Sequence, residues 1–137
     1  MPKISKIEKK IQIAASIERV WAALTQPAAI GGWMGDPDSI KVTLRVGGRY
    51  QLFGGETTGK ITHLAKPASL ECTWRQSSWL KDWLDSVVRW ELKSKGEGTQ
   101  VRLTHSNFPN KEERDGHDEG WDIYFLKPMK EWLESNG

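Results

Sequence analysis

Three histidines, one cysteine and eight tryptophans are the side chains of this 137-residue chain best suited to chemistry or recognition. His63, His105 and His117 stand far apart in sequence, and neither a G-x-S-x-G elbow nor an H-E-x-x-H helix accompanies them. No nucleophile with its base is therefore written here, and no catalytic set is assigned. His117-Asp118-Glu119 carries metal-type donors but reads as a helix start, with acids near the positive end of the helix dipole; no metal and no cofactor is expected. The pairs Gly31-Gly32, Gly47-Gly48 and Gly54-Gly55 lack the G-x-G-x-x-G spacing of a phosphate cradle between strand and helix, and read as turn and bend residues. Cys72, alone, can form no internal disulfide and no thiolate metal site; alternation points it inward as a small buried hydrophobe.

The elements that position these residues follow from periodicity. Partial alternation over residues 6–13 predicts a strand with one wet face. Ser16 then caps a short helix whose Ile17, Val20, Trp21 and Leu24 fall on one stripe. Pro27 opens a second short helix, predicted to end at Gly31-Gly32. From Ser39 to Ser106 short runs predict an antiparallel meander: Ile40–Arg45, Gly48–Gly54, Thr58–Leu64, Ser69–Arg75, Ser86–Lys93 and Thr99–Ser106. Leu70, Cys72 and Trp74 share one face with Val88, Trp90 and Leu92 and with Val101, Leu103 and His105, while Glu71, Thr73, Arg75, Arg89, Glu91 and Arg102 lie on the other. A helix from about His117 to Ser135 closes the chain, with a kink or break expected near Tyr124 because Pro128 removes a hydrogen bond. The fold class is thus α+β: a curved antiparallel sheet around a long C-terminal helix, with two short helices after the first strand.

Such a sheet, gripping a helix at its ends, leaves room at the middle. Trp33, Met34, Phe53, Trp74, Trp90, Leu103, His105, Trp121, Phe125 and Met129 are the candidate lining of an apolar ligand cavity there; the alternative is that they fill the core outright. The connection Trp79-Leu80-Lys81-Asp82-Trp83-Leu84 spends large apolar side chains where polar ones are usual. Trp79, Leu80, Trp83 and Leu84 are candidates for a lid or a protein-interaction loop, or for a satellite cluster folded onto their own sheet.

Composition excludes several classes. With 28% charged and 37% hydrophobic residues, the chain is the size of one domain, 1–137, domains commonly running about 100–150 residues. No apolar run approaches the roughly 18 residues of a membrane span, and the segment Met1–Lys10 lacks a signal-peptide core, so a cytoplasmic location is expected. Twenty basic and 18 acidic side chains, net +2, are interspersed; the only basic cluster, Lys3, Lys6, Lys9 and Lys10, is interrupted by Glu8, and nucleic acid is not an expected partner.

The segments I-A-A-S-I-E-R-V-W-A-A-L-T (Ile13 to Thr25), G-G-R-Y (Gly47 to Tyr50), L-E-C-T-W-R (Leu70 to Arg75), T-H-S-N-F-P (Thr104 to Pro109) and H-D-E-G-W-D-I-Y-F-L-K-P-M-K-E-W-L (His117 to Leu133) together resemble the heat-shock protein 90 ATPase activator homologue branch of the START-like, or SRPBCC, superfamily. The resemblance spans essentially the whole chain and implies a helix-grip fold. Members of the superfamily commonly bind lipids, sterols, polyketides or other hydrophobic molecules between sheet and helix, and some are aromatases or cyclases. The eukaryotic activator adds a separate chaperone-binding domain; with one domain here, direct stimulation of a chaperone ATPase is not expected. The cavity positions it carries over are Trp33, Trp74, Trp90, His105, Trp121 and Phe125, and no universal catalytic set comes with them.

Three functions follow, in order. The first is non-enzymatic binding of a small hydrophobic or aromatic ligand between sheet and helix; the second is a protein-interaction module anchored on Trp79–Leu84. The third is a cyclase- or hydrolase-like enzyme using His105 as acid or base.

Overall fold

Side-chain alternation decides which face of each strand is buried, and the computed structural model, which describes residues 4–135, follows it closely. β1 (Ile7–Ile13) leads into α1 (Ile17–Thr25) and α2 (Pro27–Met34). Then come β2 (Lys41–Val42), β3 (Arg49–Leu52), β4 (Thr57–Ala65), β5 (Ser69–Gln76), β6 (Ser86–Lys95) and β7 (Gly98–Ser106). The chain ends in α3 (Lys111–Gly120), a π-helical turn (Trp121–Leu126) and α4 (Lys127–Ser135). All seven strands form one antiparallel sheet in the order β1-β7-β6-β5-β4-β3-β2. The C-terminal helix lies along its concave face, so the architecture is the α+β helix grip that the element order predicts. Residues Met1 to Lys3, and with them Lys3 of the basic cluster, lie outside the described part.

The inward face holds Leu70, Cys72, Trp74, Val88, Trp90, Leu92, Val101 and Leu103, all buried. Each such side chain contributes about 1.5–3 kcal/mol by leaving water. The outer face carries cross-strand ion pairs, Arg89 to Glu71 at 3.3 Å and Arg102 to Glu8 at 3.1 Å. Lys9 departs from the simple pattern, because it falls on the inward face between Ile7 and Ile11. Its ammonium meets Asp118 at 2.9 Å and Asp122 at 2.8 Å, fastening β1 to the C-terminal helix. Burial works against that ammonium, but Asp122 and Asp118 outweigh it and hold its pKa above the ordinary lysine value.

Four local expectations are corrected. α2 runs through Gly31-Gly32 to Met34 and ends at Gly35, whose φ of +87° suits glycine and whose amide donates to the Gly31 carbonyl. The two glycines serve close packing instead: a Cβ at Gly31 would stand 2.6 Å from Pro37, and one at Gly32 would stand 2.5 Å from the Trp132 ring. The Ile40–Arg45 strand shrinks to Lys41–Val42, because the Arg45 amide turns back onto the Thr43 carbonyl. β3 stops at Leu52; Phe53 takes φ +53° in a 3-10 turn and is 40% exposed rather than inward.

The fourth correction concerns the C-terminal helix, which starts at Lys111, with the Asn110 side chain accepting the Glu113 amide at 2.8 Å, so His117 lies in the last turn of α3 and not at a helix start. The expected irregularity near Tyr124 is present as the π turn. Pro128 has no N–H for the Tyr124 carbonyl and its ring would crowd it; the chain widens, and the Lys127 amide reaches back to Asp122.

Candidate functional site

Three indoles meet where sheet and C-terminal helix face each other. Trp74 from β5 and Trp121 from the π turn lie 4.9 Å apart by ring centroid, and Trp90 from β6 stands edge-on to Trp121 at 5.6 Å. Phe125, one turn on, packs 4.6 Å from Trp121 and takes Trp33 of α2 and Phe53 edge-on at 5.9 and 6.0 Å. Trp33 is held by its indole N–H, which donates to the Ala23 carbonyl at 2.9 Å. These rings leave two spaces. One is an apolar cavity of about 70 Å3 whose walls include Trp33, Met34, Trp74, Trp90, Trp121 and Phe125, along with Leu24, Tyr50 and Cys72. The other is a groove of about 300 Å3 on the far side of the Trp74, Trp121 and Phe125 wall, bounded by Phe53, Gln76, Tyr124 and the α3 face of Glu112, Glu113, Gly116, His117 and Gly120.

The predicted lining therefore divides. Trp33, Met34, Trp74, Trp90, Trp121 and Phe125 border the cavity, and Phe53 borders the groove instead. Leu103, His105 and Met129 are completely buried and border neither space. They are core, because β7 lies nearer the β1 side of the sheet, where helix and strands are in direct contact. The tryptophans fill most of the middle: a dry cavity that accepts benzene has about 150 Å3.

His105 sits in a closed hydrogen-bond chain. The Trp121 indole N–H donates to its Nδ1 at 3.0 Å; Nε2–H then donates to Ser86 Oγ at 2.7 Å, and the Ser86 hydroxyl donates to the Trp74 carbonyl at 2.7 Å. Burial, and secondarily the neighbouring His117, push its pKa down to about 2. His117, which sequence patterning puts at a helix start and not in the candidate lining, borders the groove. Its Nδ1–H donates to the Glu113 carbonyl at 2.7 Å, and its Nε2 accepts the Trp74 indole N–H at 3.1 Å. The signal that places it is the cap pair Asn110 and Glu113, which starts α3 early enough to turn His117 toward Trp74. Cys72 is buried against Tyr50, and that burial pushes its thiol up to about 12. His63 lies on the sheet's margin, bonded to Ser69 at 2.9 Å.

The Trp79–Leu84 segment is half satellite cluster and half surface. Trp79 is buried, its N–H donating to Glu113 Oε1 at 2.7 Å, with Trp83 edge-on at 6.3 Å. Arg75 pins the backbone, donating to the carbonyls of Trp83 and Leu80 and pairing with Asp85 at 3.2 Å. Leu80 and Leu84 remain exposed, at 57% and 76%. Among the described residues no helix is long and apolar enough to cross a membrane, and no three His, Cys, Asp or Glu side chains gather as a metal site.

Known proteins share this fold. A heat-shock protein 90 activator from Plasmodium falciparum is 27% identical, with a TM-score of 0.80 over 93% of this chain and 95% of its own. CalU16 from Micromonospora echinospora is 25% identical, TM-score 0.79, over 96% of this chain and 77% of its own. Protein MLL2253 from Mesorhizobium loti, 24% identical, shares the fold with a TM-score of 0.82 over 97% of this chain and 99% of its own. No curated protein sequence matches the chain significantly. The family model described as activator of Hsp90 ATPase homolog 1-like protein matches residues 14–134, from the end of β1 to the last turn of α4, and the chain belongs to that family.

Proposed function

We propose that the protein binds a small, flat aromatic molecule, without transforming it, at the seam between the sheet and the C-terminal helix. The observation that carries this reading is the shared wall of Trp74, Trp121 and Phe125, with an apolar cavity on one side and a groove on the other. The cavity alone is too small for a sterol or an acyl chain. The groove, however, has the roughly 300 Å3 of the smaller ligand sites, and its aromatic walls suit a ring that stacks rather than a chain that threads. Binding without turnover fits two buried titratable groups beside the rings. His105 has both nitrogens engaged and a pKa near 2, and the Cys72 thiol near 12, so neither exchanges a proton near neutral pH. A ligand held only by the native state raises the melting temperature; at 100 times its Kd the gain is about 2.7 kcal/mol. A panel of flat aromatics that quenches tryptophan fluorescence saturably and raises the melting temperature supports the reading. A panel that does neither contradicts it.

A second reading, capture of a protein partner, is favoured by the exposed Leu80 and Leu84 on a loop that Arg75 holds in place, and by the kinship with a heat-shock protein 90 activator. Trp79 and Trp83 serve the loop's own packing, so the informative variant is the double Leu80→Ser, Leu84→Ser. It should abolish partner capture while leaving the melting temperature unchanged; unaltered capture counts against this reading.

A further inference from the structure

Two glycines on the groove face of α3 have no reason in the chain itself to be glycine. Gly116 and Gly120 have ordinary right-handed helical backbone, where glycine is the least favourable residue after proline. A Cβ at Gly116 would meet nothing within 4 Å, and one at Gly120 would meet only Tyr124 Cδ2 at an ordinary 3.8 Å. Gly31 and Gly32 show the opposite case, since a Cβ there collides at 2.6 and 2.5 Å. The helix thus carries a weak residue twice on one face, with a successive-turn spacing, and the space so kept is filled by none of the described residues.

The charges around that space are equally selective. Asp115 pairs with Lys111 and Arg114, Asp118 with Lys9 and Arg114, and Asp122 with Lys9. Glu112 and Glu113, the carboxylates that border the groove, meet no lysine or arginine among the described residues. One oxygen of Glu113 accepts the Trp79 N–H, and Glu112 is exposed. Both carboxylates belong to the first turn of α3, whose dipole contributes roughly half a positive charge; two full negative charges outweigh it. The His117 nitrogens are engaged with the Glu113 carbonyl and the Trp74 N–H, so neither is left to donate to an anion. Of the remaining walls, Gln76 has its Oε1 on the Thr57 hydroxyl and its Nε2 against His117, and Phe53, Trp74, Trp121, Tyr124 and Phe125 are aromatic rings, whose faces attract cations.

We infer that the groove takes a flat organic cation, an aromatic amine or quaternary ammonium whose ring lies over Gly116 and Gly120 and whose positive nitrogen faces Glu112. This rests on the reading of the seam as a ligand site and names the ligand's charge. The test uses three probes of one shape, 2-naphthylmethylammonium, 2-naphthalenemethanol and 2-naphthoate, titrated into the full chain while the indole N–H signals are followed. The ammonium should bind about tenfold more tightly than the alcohol, and the carboxylate more weakly than either. Glu112→Gln should remove the preference for the ammonium. Gly116→Leu should fill the groove and weaken all three probes at least about tenfold without lowering the melting temperature, a combination that a merely structural glycine would not give. Equal binding of ammonium and alcohol, or unchanged binding in Gly116→Leu, overturns the cation assignment and leaves the seam reading standing. If none of the three shifts Trp74 or Trp121, both fall.

Discussion

On one side of Trp121, its indole N–H, the His105 imidazole and the Ser86 hydroxyl are hydrogen-bonded in series and sealed from solvent; on the other, Glu112 faces an aromatic groove and pairs with no lysine or arginine among the described residues. The same tryptophan borders both. The sealed cluster has every donor matched to an acceptor, the state expected of polar groups that hold a core in register. The groove has unmatched charge, exposed rings and two glycines where alanine would fit. The histidine among tryptophans is therefore bound into the core, and the recognition we propose falls to an undistinguished Lys-Glu-Glu-Arg-Asp-Gly run.

The contrast yields measurable effects. Trp121→Ala opens a cavity in the core and strips His105 Nδ1 of its donor; it should cost about 3–5 kcal/mol in chemical denaturation, and a loss under 1 kcal/mol would mean that the cluster is not integral to the core. The pH dependence comes next. Folded His105 stays neutral down to about pH 2, while an unfolded histidine takes up a proton near 6.5, so its contribution is fully present above pH 6.5 and is lost as pH falls below it. Stability should decline by about 1.4 kcal/mol per pH unit from this group, or about 2 kcal/mol between pH 6.5 and 5. A variant His105→Gln, compared with the parent over the same interval, should lose that slope.

The two kinds of glycine separate in sign. Gly32→Ala drives a methyl into the Trp132 ring and should destabilise by roughly 1–3 kcal/mol. Gly116→Ala, with nothing in its way, should stabilise by about 0.5–1 kcal/mol through helix propensity. Thermal melts of the pair decide this, and a destabilised Gly116→Ala would show that the groove face is packed rather than kept open.

How far the letters reach is clear from where they stop. Period-two alternation is a local signal, so β5, β6 and β7 and their buried faces follow directly from Leu70, Cys72, Trp74 and their counterparts. Four apolar positions over two turns, Ile17, Val20, Trp21 and Leu24, likewise give α1 and its Ser16 cap, whose hydroxyl accepts the Arg19 amide. α3 was missed at its start because Lys111 to Gly120 contains no apolar residue, and a helix polar all round leaves no stripe to read. Only Asn110 and Glu113 mark it. Gly31-Gly32 misled for a different reason: the atoms that demand glycine belong to Pro37 and Trp132, and the second lies a hundred residues away. Likewise Phe53 alternates inward on paper, yet the chain turns at Gly54, φ +67°, before the strand can use it. Cavity volume is a difference between large packed volumes, and eight tryptophans could leave much or little; they leave about 70 Å3, with the larger space beside it.

The most direct test of the account is the indole N–H spectrum of the labelled protein titrated with 2-naphthalenemethanol, a neutral flat probe that asks only whether the seam binds a ring. Saturable shifts of the Trp74 and Trp121 signals, whose rings form the shared wall, are expected, while Trp21 and Trp132 stay in place. Saturable shifts confined to Trp79 and Trp83, with Trp74 and Trp121 unmoved, would contradict it and assign recognition to the loop.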